Sequence, residues 1–170
     1  VCSSDLDLIA GLPTDTTESF KNSLDSIVRL NAECITVHTL CMKRASRLTT
    51  EGVTLDLQQA RDAREMLAYT QNVLGQNEYI PYYMYRQSRM VGNLENVGWS
   101  KRGFESLYNV YVMDETHTIL ACGSGGVTKL KRNNPDYLER IFNFKYPYEY
   151  IDRFDELIQR KSGIMQFYGQ

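Results

Sequence analysis

The feature that most constrains this chain is its alternation of short strand-like runs with longer segments of helical periodicity. The first such run, Leu6 to Ala10, ends at the turn-forming residues Gly11-Leu12-Pro13. Asp15 then precedes Glu18 at the spacing of a capping box, and apolar residues repeat at helical intervals to about Leu30. This pattern predicts a strand, a tight loop and an amphipathic helix.

The same kinds of segment follow further along the chain. Residues 34–40 are rich in β-branched side chains and predict a second strand, which leads into a basic, polar loop. From Leu55 to Leu74 the apolar residues mark one helix face, and Gly75 is placed to end this helix. The residues of this face are Ala60, Ala63, Met66, Leu67, Val73 and Leu74. Tyr79 to Tyr85 then predicts a third strand.

Successive strand–helix alternations favour a parallel α/β sheet, because each parallel connection has to cross one face of the sheet. With right-handed crossovers, residues 1–90 would form an arc of a barrel or of an open sheet. A complete barrel needs about 250 residues. The chain has 170 residues, so it would supply only part of one.

The pattern changes beyond this point. Residues 92–99 are loop-like, and a short helix is predicted near Glu105 to Met113. A hairpin or bend is predicted at Val127 to Leu130, and the chain ends in a helical pattern with Gly163 as a stop. We therefore expect residues 91–170 to form a small C-terminal α+β region.

Composition argues against two classes of partner. Lys and Arg number 19 against 21 Asp and Glu, and no segment clusters enough basic residues to follow a phosphate backbone. No apolar run approaches the ~20 residues of a membrane span, and the N-terminus does not resemble a signal peptide. We expect a soluble, cytoplasmic protein with neither nucleic acid nor a membrane as its partner.

The start of the chain and its cysteines carry further expectations. The chain begins with valine and enters a strand-like run almost at once, which indicates a truncated product in which Val1 to Ser4 could be foreign sequence. The cysteines match no zinc or ferredoxin-type spacing, so we interpret them as unpaired cytosolic thiols. They are Cys2, Cys34, Cys41 and Cys122.

Two polar residues within the predicted strands are candidates for chemistry. Asp7 could accept hydrogen bonds from ribose hydroxyls or orient a substrate, and a carboxylate facing water would explain it equally well. His38 could act as a general acid or base. A single histidine is more often a hydrogen-bonded core residue, and the sequence offers it no ligand pair or triad.

Two further segments suit ligand binding more weakly. Gly123 to Gly126 could expose backbone N–H groups to an anion, but it matches neither a P-loop nor a dinucleotide-binding fingerprint. Lys43, Arg44 and Arg47 could bind carboxylates or phosphates, although a solvated loop is the commoner explanation.

The ordered set of motifs is more informative than any one motif. Asp7-Leu8-Ile9-Ala10-Gly11-Leu12-Pro13 resembles the Asp-Leu-Ile-x-Gly-Leu-Pro segment of oxygen-independent coproporphyrinogen III oxidases, which are radical S-adenosylmethionine (SAM) proteins. Later segments most resemble the coproporphyrinogen dehydrogenase branch, and the resemblance extends to the C-terminal helix. These segments are Thr36 to Leu40 with Lys43 to Ser46, Tyr83 to Gln87, and Gly92 to Gly98.

The resemblance implies a fold and an activity. Residues 1–90 would be the C-terminal strands and helices of a partial (β/α) radical-SAM barrel. In this family a [4Fe-4S] cluster reductively cleaves SAM, and the resulting radical removes hydrogen from propionate side chains. Coproporphyrinogen III is thereby oxidatively decarboxylated to protoporphyrinogen IX in haem biosynthesis. The resemblance thus implies an oxidoreductase with a tetrapyrrole substrate and an electron donor.

The resemblance also assigns site residues by matched position. Asp7 would contact the SAM, and the chain at Leu40 and Cys41 would flank its adenosyl part together with a glycine-rich segment. The residues of that segment are Gly125, Gly126 and Val127. The candidate partners of the substrate propionates are Arg44, Arg47 and Arg86.

One departure from the family is severe. The Cys-x3-Cys-x2-Cys cluster motif and the glycine-rich methionine-binding motif do not occur in this chain, and none of its four cysteines replaces them. The cluster would therefore belong to the intact parent only, and we expect the isolated chain to hold no metal and to be catalytically inert. The alternative is a non-catalytic haem or nucleotide carrier built on the same fold.

Overall fold

The computed structural model describes residues 4–42, 46–54, 56–88, 90–132 and 137–169. It divides the chain into two compact units, Val1–Val110 and Tyr111–Gln170. The first unit contains strands and helices in alternation, followed by the start of a helix that continues across the boundary. In chain order these elements are β1 (Asp5–Ala10), α1 (Thr17–Arg29), β2 (Cys34–Thr39), α2 (Arg47–Thr50), α3 (Leu57–Gln76), β3 (Tyr79–Tyr85), a 3₁₀ turn (Val91–Asn93), β4 (Asn96–Lys101) and α4 (Leu107–Asp114).

The four strands form one mixed sheet in the order β1-β2-β4-β3. β1 and β2 are parallel, and β4 is antiparallel to both β2 and β3. The predicted mixing of strands and helices is therefore confirmed, but the sheet is not purely parallel. The sheet does not close on itself, because β1 and β3 are its two edges within the part of the chain that the structure describes.

The interpretation of residues 92–99 as a loop is wrong for their second half, which begins β4. Asparagine and glycine have low strand propensity, so the local pattern at Asn96 and Gly98 indicates a turn. In the structure β4 is paired along both of its edges, by β2 and by β3. Tertiary pairing thus overrides the local propensity.

The main core lies between one face of this sheet and the helices α1 and α3. Strand alternation turns every second side chain of β2 and β4 toward the helices, whose apolar faces repeat at helical spacing. The buried residues of this core include Ala10, Phe20, Leu24, Ile35, Val37, Met66, Leu74, Tyr79 and Trp99. The predicted apolar face of α3 is confirmed at Ala63, Met66 and Leu74.

Both long helices begin at capping boxes, although not at the predicted residues in the first case. The N-cap of α1 is Thr16, whose side chain accepts from the backbone N–H of Ser19, so the expected pairing of Asp15 with Glu18 is wrong. In α3 the helix runs through Gly75 to Gln76, and the left-handed residue after it is Glu78 with φ 65°. Gly75 therefore does not end the helix.

The predicted turn after β1 is confirmed. Gly11 has φ 84°, a backbone conformation that favours glycine. A Cβ atom added there would lie 3.2 Å from the Cβ of Ala63 on α3. Glycine therefore allows both the turn and the close approach of α3 to the end of β1.

The second unit contains a hairpin and short helices. The predicted hairpin is confirmed, since Val127 pairs with Phe142 at the open end of an antiparallel ladder. Gly163 is the first residue of a further helix and not a stop, so that prediction is wrong. The elements are β5 (Val127–Lys131), β6 (Leu138–Phe142), α5 (Pro147–Asp152), α6 (Phe154–Lys161) and α7 (Gly163–Tyr168). In the described residues we find no helix with the length and hydropathy of a membrane span.

Candidate functional site

The face of the sheet that points away from α1 and α3 carries polar side chains. Because side chains alternate along a strand, the inward-facing Leu6, Leu8 and Ala10 leave Asp5, Asp7 and Ile9 on this outer face. The parallel register places Asp7 beside Thr36 of β2 and Ile9 beside His38. We call this surface the polar face; it comprises Asp5, Asp7, Thr36, His38, Tyr83 and Tyr85.

Asp7 and His38 meet on the polar face. Their Oδ1 and Nε2 atoms are 3.6 Å apart, and the Asp7 side chain is 65% exposed. The other ring nitrogen of His38, Nδ1, lies 3.3 Å from the hydroxyl oxygen of Tyr85. With its proton on Nε2, the imidazole would face Asp7 with a donor and accept a hydrogen bond from Tyr85. The carboxylate of Asp7 keeps most of its surface open to a ligand.

A tyrosine ring lies flat across the centre of the polar face. The Tyr83 hydroxyl is 3.0 Å from Thr36 Oγ1, and the Tyr83 ring is stacked on that of Tyr85 with an interplanar angle of 10°. Beneath it is Gly98 of β4, where an added Cβ would overlap the ring carbons of Tyr83. Gly98 is therefore needed for the ring to lie against the sheet. The resulting surface is aromatic and still hydrogen-bonding.

Burial changes the acidity of this face. Burial raises the pKa of the Tyr83 phenol, and it raises the pKa of the neighbouring Tyr82 more strongly. The pKa of Asp5 is also raised, first by burial and then by the negative charge of Asp7. Asn109 Nδ2 donates a hydrogen bond of 2.8 Å to the Tyr82 hydroxyl, which helps to hold the Tyr82 side chain in place. With their pKa values raised, Tyr82 and Tyr83 stay neutral at physiological pH.

Leu40 and Cys41 follow β2, directly after the strand that carries His38. Leu40 is 8% exposed, its N–H donates to the carbonyl of Ala10 and its own carbonyl accepts from Val91. Cys41 forms an isolated bridge to Met90. These residues therefore extend the ladder beside the end of β1, on the same strands as Asp7 and His38.

The glycine-rich segment lies in the second unit, where the structure shows its local geometry. Gly125 has φ 72°, and its N–H donates to the carbonyl of Phe144 at 2.7 Å. A Cβ on Gly126 would lie 2.9 Å from the carbonyl oxygen of Cys122. Val127 begins β5. The backbone here is compact because glycine permits it.

The three candidate arginines do not form one cluster. Arg44 lies outside the described residues. Arg47 is 91% exposed and pairs with Glu51 one helical turn away. Arg86 pairs with Glu95 at 2.5 Å and lines a cavity on the helix-covered side of the sheet. The two described arginines thus already have carboxylate partners.

The cysteines do not form a cluster site in the described part of the chain. No group of three or more His, Cys, Asp or Glu side chains there could hold a metal ion. Cys34 is buried and its thiol donates to the carbonyl of Phe104, whereas Cys41 donates to that of Ser88. The donor set therefore does not fit a [4Fe-4S] cluster.

Sequence reasoning found Asp7 and considered His38, but it did not bring them together. It missed the partnership of Thr36 with Tyr83 and the contribution of Asn109 altogether. The signal that could have found Thr36 is strand parity, since it shares a face with His38 two residues later. No local signal places Asn109, because it reaches Tyr82 from a helix 27 residues further along the chain.

A mixed sheet with helices on one face and polar side chains on the other defines an α/β protein. No known family profile matches the chain. It is 36% identical over 161 residues to the oxygen-independent coproporphyrinogen-III oxidase-like protein HemZ of Bacillus subtilis (strain 168), an alignment that covers 95% of this chain and 32% of HemZ. The predicted resemblance is therefore confirmed, and the chain is related to the oxygen-independent coproporphyrinogen III oxidase-like proteins.

A solved structure resembles this chain in its fold. Coproporphyrinogen III oxidase HemN from Escherichia coli, described as a radical SAM enzyme, matches 91% of this chain with a TM-score of 0.54 and 18% sequence identity. The match covers 34% of HemN. The chain thus spans about a third of the length of each of these two relatives.

Proposed function

We propose that this chain is part of a radical SAM oxidoreductase that decarboxylates coproporphyrinogen III to protoporphyrinogen IX in haem biosynthesis. The observation that carries the proposal is the 36% identity to HemZ over 95% of the chain. The sheet would be an arc of a partial (β/α) barrel, with β1 as the edge at which further strands join. The division into a barrel part, residues 1–90, and a C-terminal region, residues 91–170, stays a prediction.

SAM would bind on the polar face. The exposed carboxylate of Asp7 is a suitable acceptor for ribose hydroxyls, and its neighbour His38 would limit its orientation. The chain at Leu40 and Cys41, and at Gly125, Gly126 and Val127, would flank the adenosyl group. When cleaved, SAM supplies the radical that abstracts hydrogen. The residues of this chain would bind SAM and orient it.

The tetrapyrrole substrate would need cations for its propionates. Arg47 and Arg86 could serve only by exchanging Glu51 and Glu95 for a substrate carboxylate, and Arg44 is the third candidate. The described cysteines do not fit the [4Fe-4S] cluster, so the intact parent would supply its ligands. The parent would also need an electron donor.

The first experiment compares the intact parent with this chain. Both are purified anaerobically and analysed for iron and acid-labile sulfide, and electron paramagnetic resonance spectra are recorded with and without SAM. We expect a reducible [4Fe-4S] signal that SAM changes in the parent, and no such signal in this chain. A parent that binds no cluster after reconstitution would overturn the proposal and favour the haem or nucleotide carrier.

A substitution in the parent tests the proposed role of Asp7. Asp7→Asn removes a charge-assisted hydrogen bond worth about 1.5–3 kcal/mol, so SAM affinity should fall about 10- to 100-fold. Asp62→Asn is the matched control, because Asp62 lies on α3, on the other side of the sheet from the polar face. Its side chain accepts a hydrogen bond from Gln58 of the same helix. Equal SAM affinity of the two variants would show that Asp7 does not contribute to SAM binding.

A further inference from the structure

A cavity on the helix-covered side of the sheet lies apart from the polar face proposed for SAM, although the candidate propionate partner Arg86 is one of its lining residues. It has a volume of about 320 Å³ and lies between α3 and the strands β2 and β4. Its apolar wall includes Val37, Leu67, Val97 and Trp99. The volume lies at the lower end of the range for small-molecule pockets. No residue of the polar face is among its lining residues in the described part of the chain.

The mouth of this cavity carries an excess positive charge. Arg64, Arg86 and Glu95 all line it. Arg86 and Glu95 neutralise each other at 2.5 Å. Within the described ranges, no hydrogen bond or ion pair engages the side chain of Arg64, and this residue is solvent exposed. One guanidinium thus remains available to an anion at a cavity whose lining is partly apolar and partly polar, with Thr70, Gln71 and Asn93 among the polar residues.

Trp99 contributes its indole ring to the wall of this cavity. Its side chain is 7% exposed, and its indole Nε1–H has no hydrogen-bond partner among the described residues. A buried indole N–H usually finds an acceptor. This nitrogen is itself buried, so a ligand in the cavity would lie against the indole ring and not against its N–H.

We propose that this cavity binds a small amphipathic anion, with its apolar body against Leu67 and Trp99 and its carboxylate on Arg64. The volume holds about ten non-hydrogen atoms at about 30 Å³ each. A medium-chain carboxylate has this size, shape and charge. The inference does not rest on the radical chemistry, since the site lies on the other face of the sheet from Asp7 and its anion contact is Arg64 and not Arg86.

The chain carries its own probe, because Trp99 is its only tryptophan. We would titrate the full chain with octanoate at neutral pH and record tryptophan emission, with octan-1-ol as an uncharged ligand of similar length. We expect a saturable change with octanoate and an affinity about tenfold weaker for the alcohol. An alcohol that binds as tightly, or an emission change that never saturates, would overturn the proposal.

Two variants separate the anion site from the apolar wall. Arg64→Gln should weaken octanoate about tenfold and leave octan-1-ol unchanged, whereas the matched Arg61→Gln on the same helix should change neither. Arg61 lines a different cavity. Ala68→Phe should block both ligands, because Ala68 lines the proposed site. An equal loss of octanoate affinity in the two arginine variants would contradict a specific role for Arg64.

Discussion

The two faces of the four-stranded sheet differ in chemistry although the same strands supply both. One face places Ile35, Val37 and Trp99 against the helices, and the other presents Asp7 and His38. A period of two residues lets one strand serve a core and a site at once. The apolar face therefore forms the buried core that stabilises this unit, whereas the polar face leaves side chains accessible to a ligand.

The largest difference between the faces should be in stability. Leu24→Ala removes a fully buried side chain from the core and should lower the free energy of unfolding by about 2–5 kcal/mol. The control is Ile9→Ala on the outer face, where the side chain is 42% exposed, so the loss should be well below that of Leu24→Ala. Urea unfolding of the chain measures both. Similar losses would show that the outer face is packed as tightly as the core.

A smaller effect should come from the glycine under the tyrosine ring. Gly98→Ala places a methyl group where the ring of Tyr83 lies, so the ring must move and its contact with Thr36 is lost. Overpacking of this kind costs about 1–3 kcal/mol. The loss should be measurable by urea unfolding.

A double-mutant cycle identifies the cause of that loss. In a Tyr83→Ala background the Gly98→Ala substitution should cost much less, because the ring that it meets is gone. Strict additivity of the two substitutions would mean that Gly98 is needed for the backbone of β4 and not for the ring.

Much of the apolar face could be predicted from the sequence. The helical repeat of α3 identified Ala63, Met66 and Leu74 as buried, since periodicity follows directly from helix geometry. The polar face was only partly accessible. Asp7 stood out as a charge within an apolar run. Its proximity to His38 depends on the register between β1 and β2, and local sequence patterns do not reveal that register.

The strand order was inaccessible for a related reason. β4 enters the sheet between β2 and β3, so a strand late in the chain separates two earlier ones. The irregularity between Pro81 and Tyr83 then sets which tyrosines face outward. Both features are long-range pairings, and local propensity carries little information about them.

The smallest expected effect is electrostatic and would sharpen the contrast between the faces. Burial and the charge of Asp7 raise the pKa of Asp5, whereas the side chains of Asn109 and His38 act in the opposite direction. A carboxyl with a raised folded-state pKa destabilises the fold once ionised, so its penalty is absent at low pH. The penalty appears as the pH rises from the ordinary aspartate pKa of about 3.9 through the higher folded value.

Asp5→Asn should therefore stabilise the chain at pH 7 by a few tenths of a kcal/mol, because the group is partly solvated and surface charge effects are small. The gain should shrink toward zero as the pH falls below about 3.9. Urea unfolding of both proteins between pH 3 and pH 7 measures the difference, with Asp62→Asn as the control on the helical side. An Asp5→Asn variant that is less stable than the unsubstituted chain at pH 7 would mean that the Asp5 carboxylate stabilises the polar face. The two faces would then differ less in chemistry than the geometry indicates.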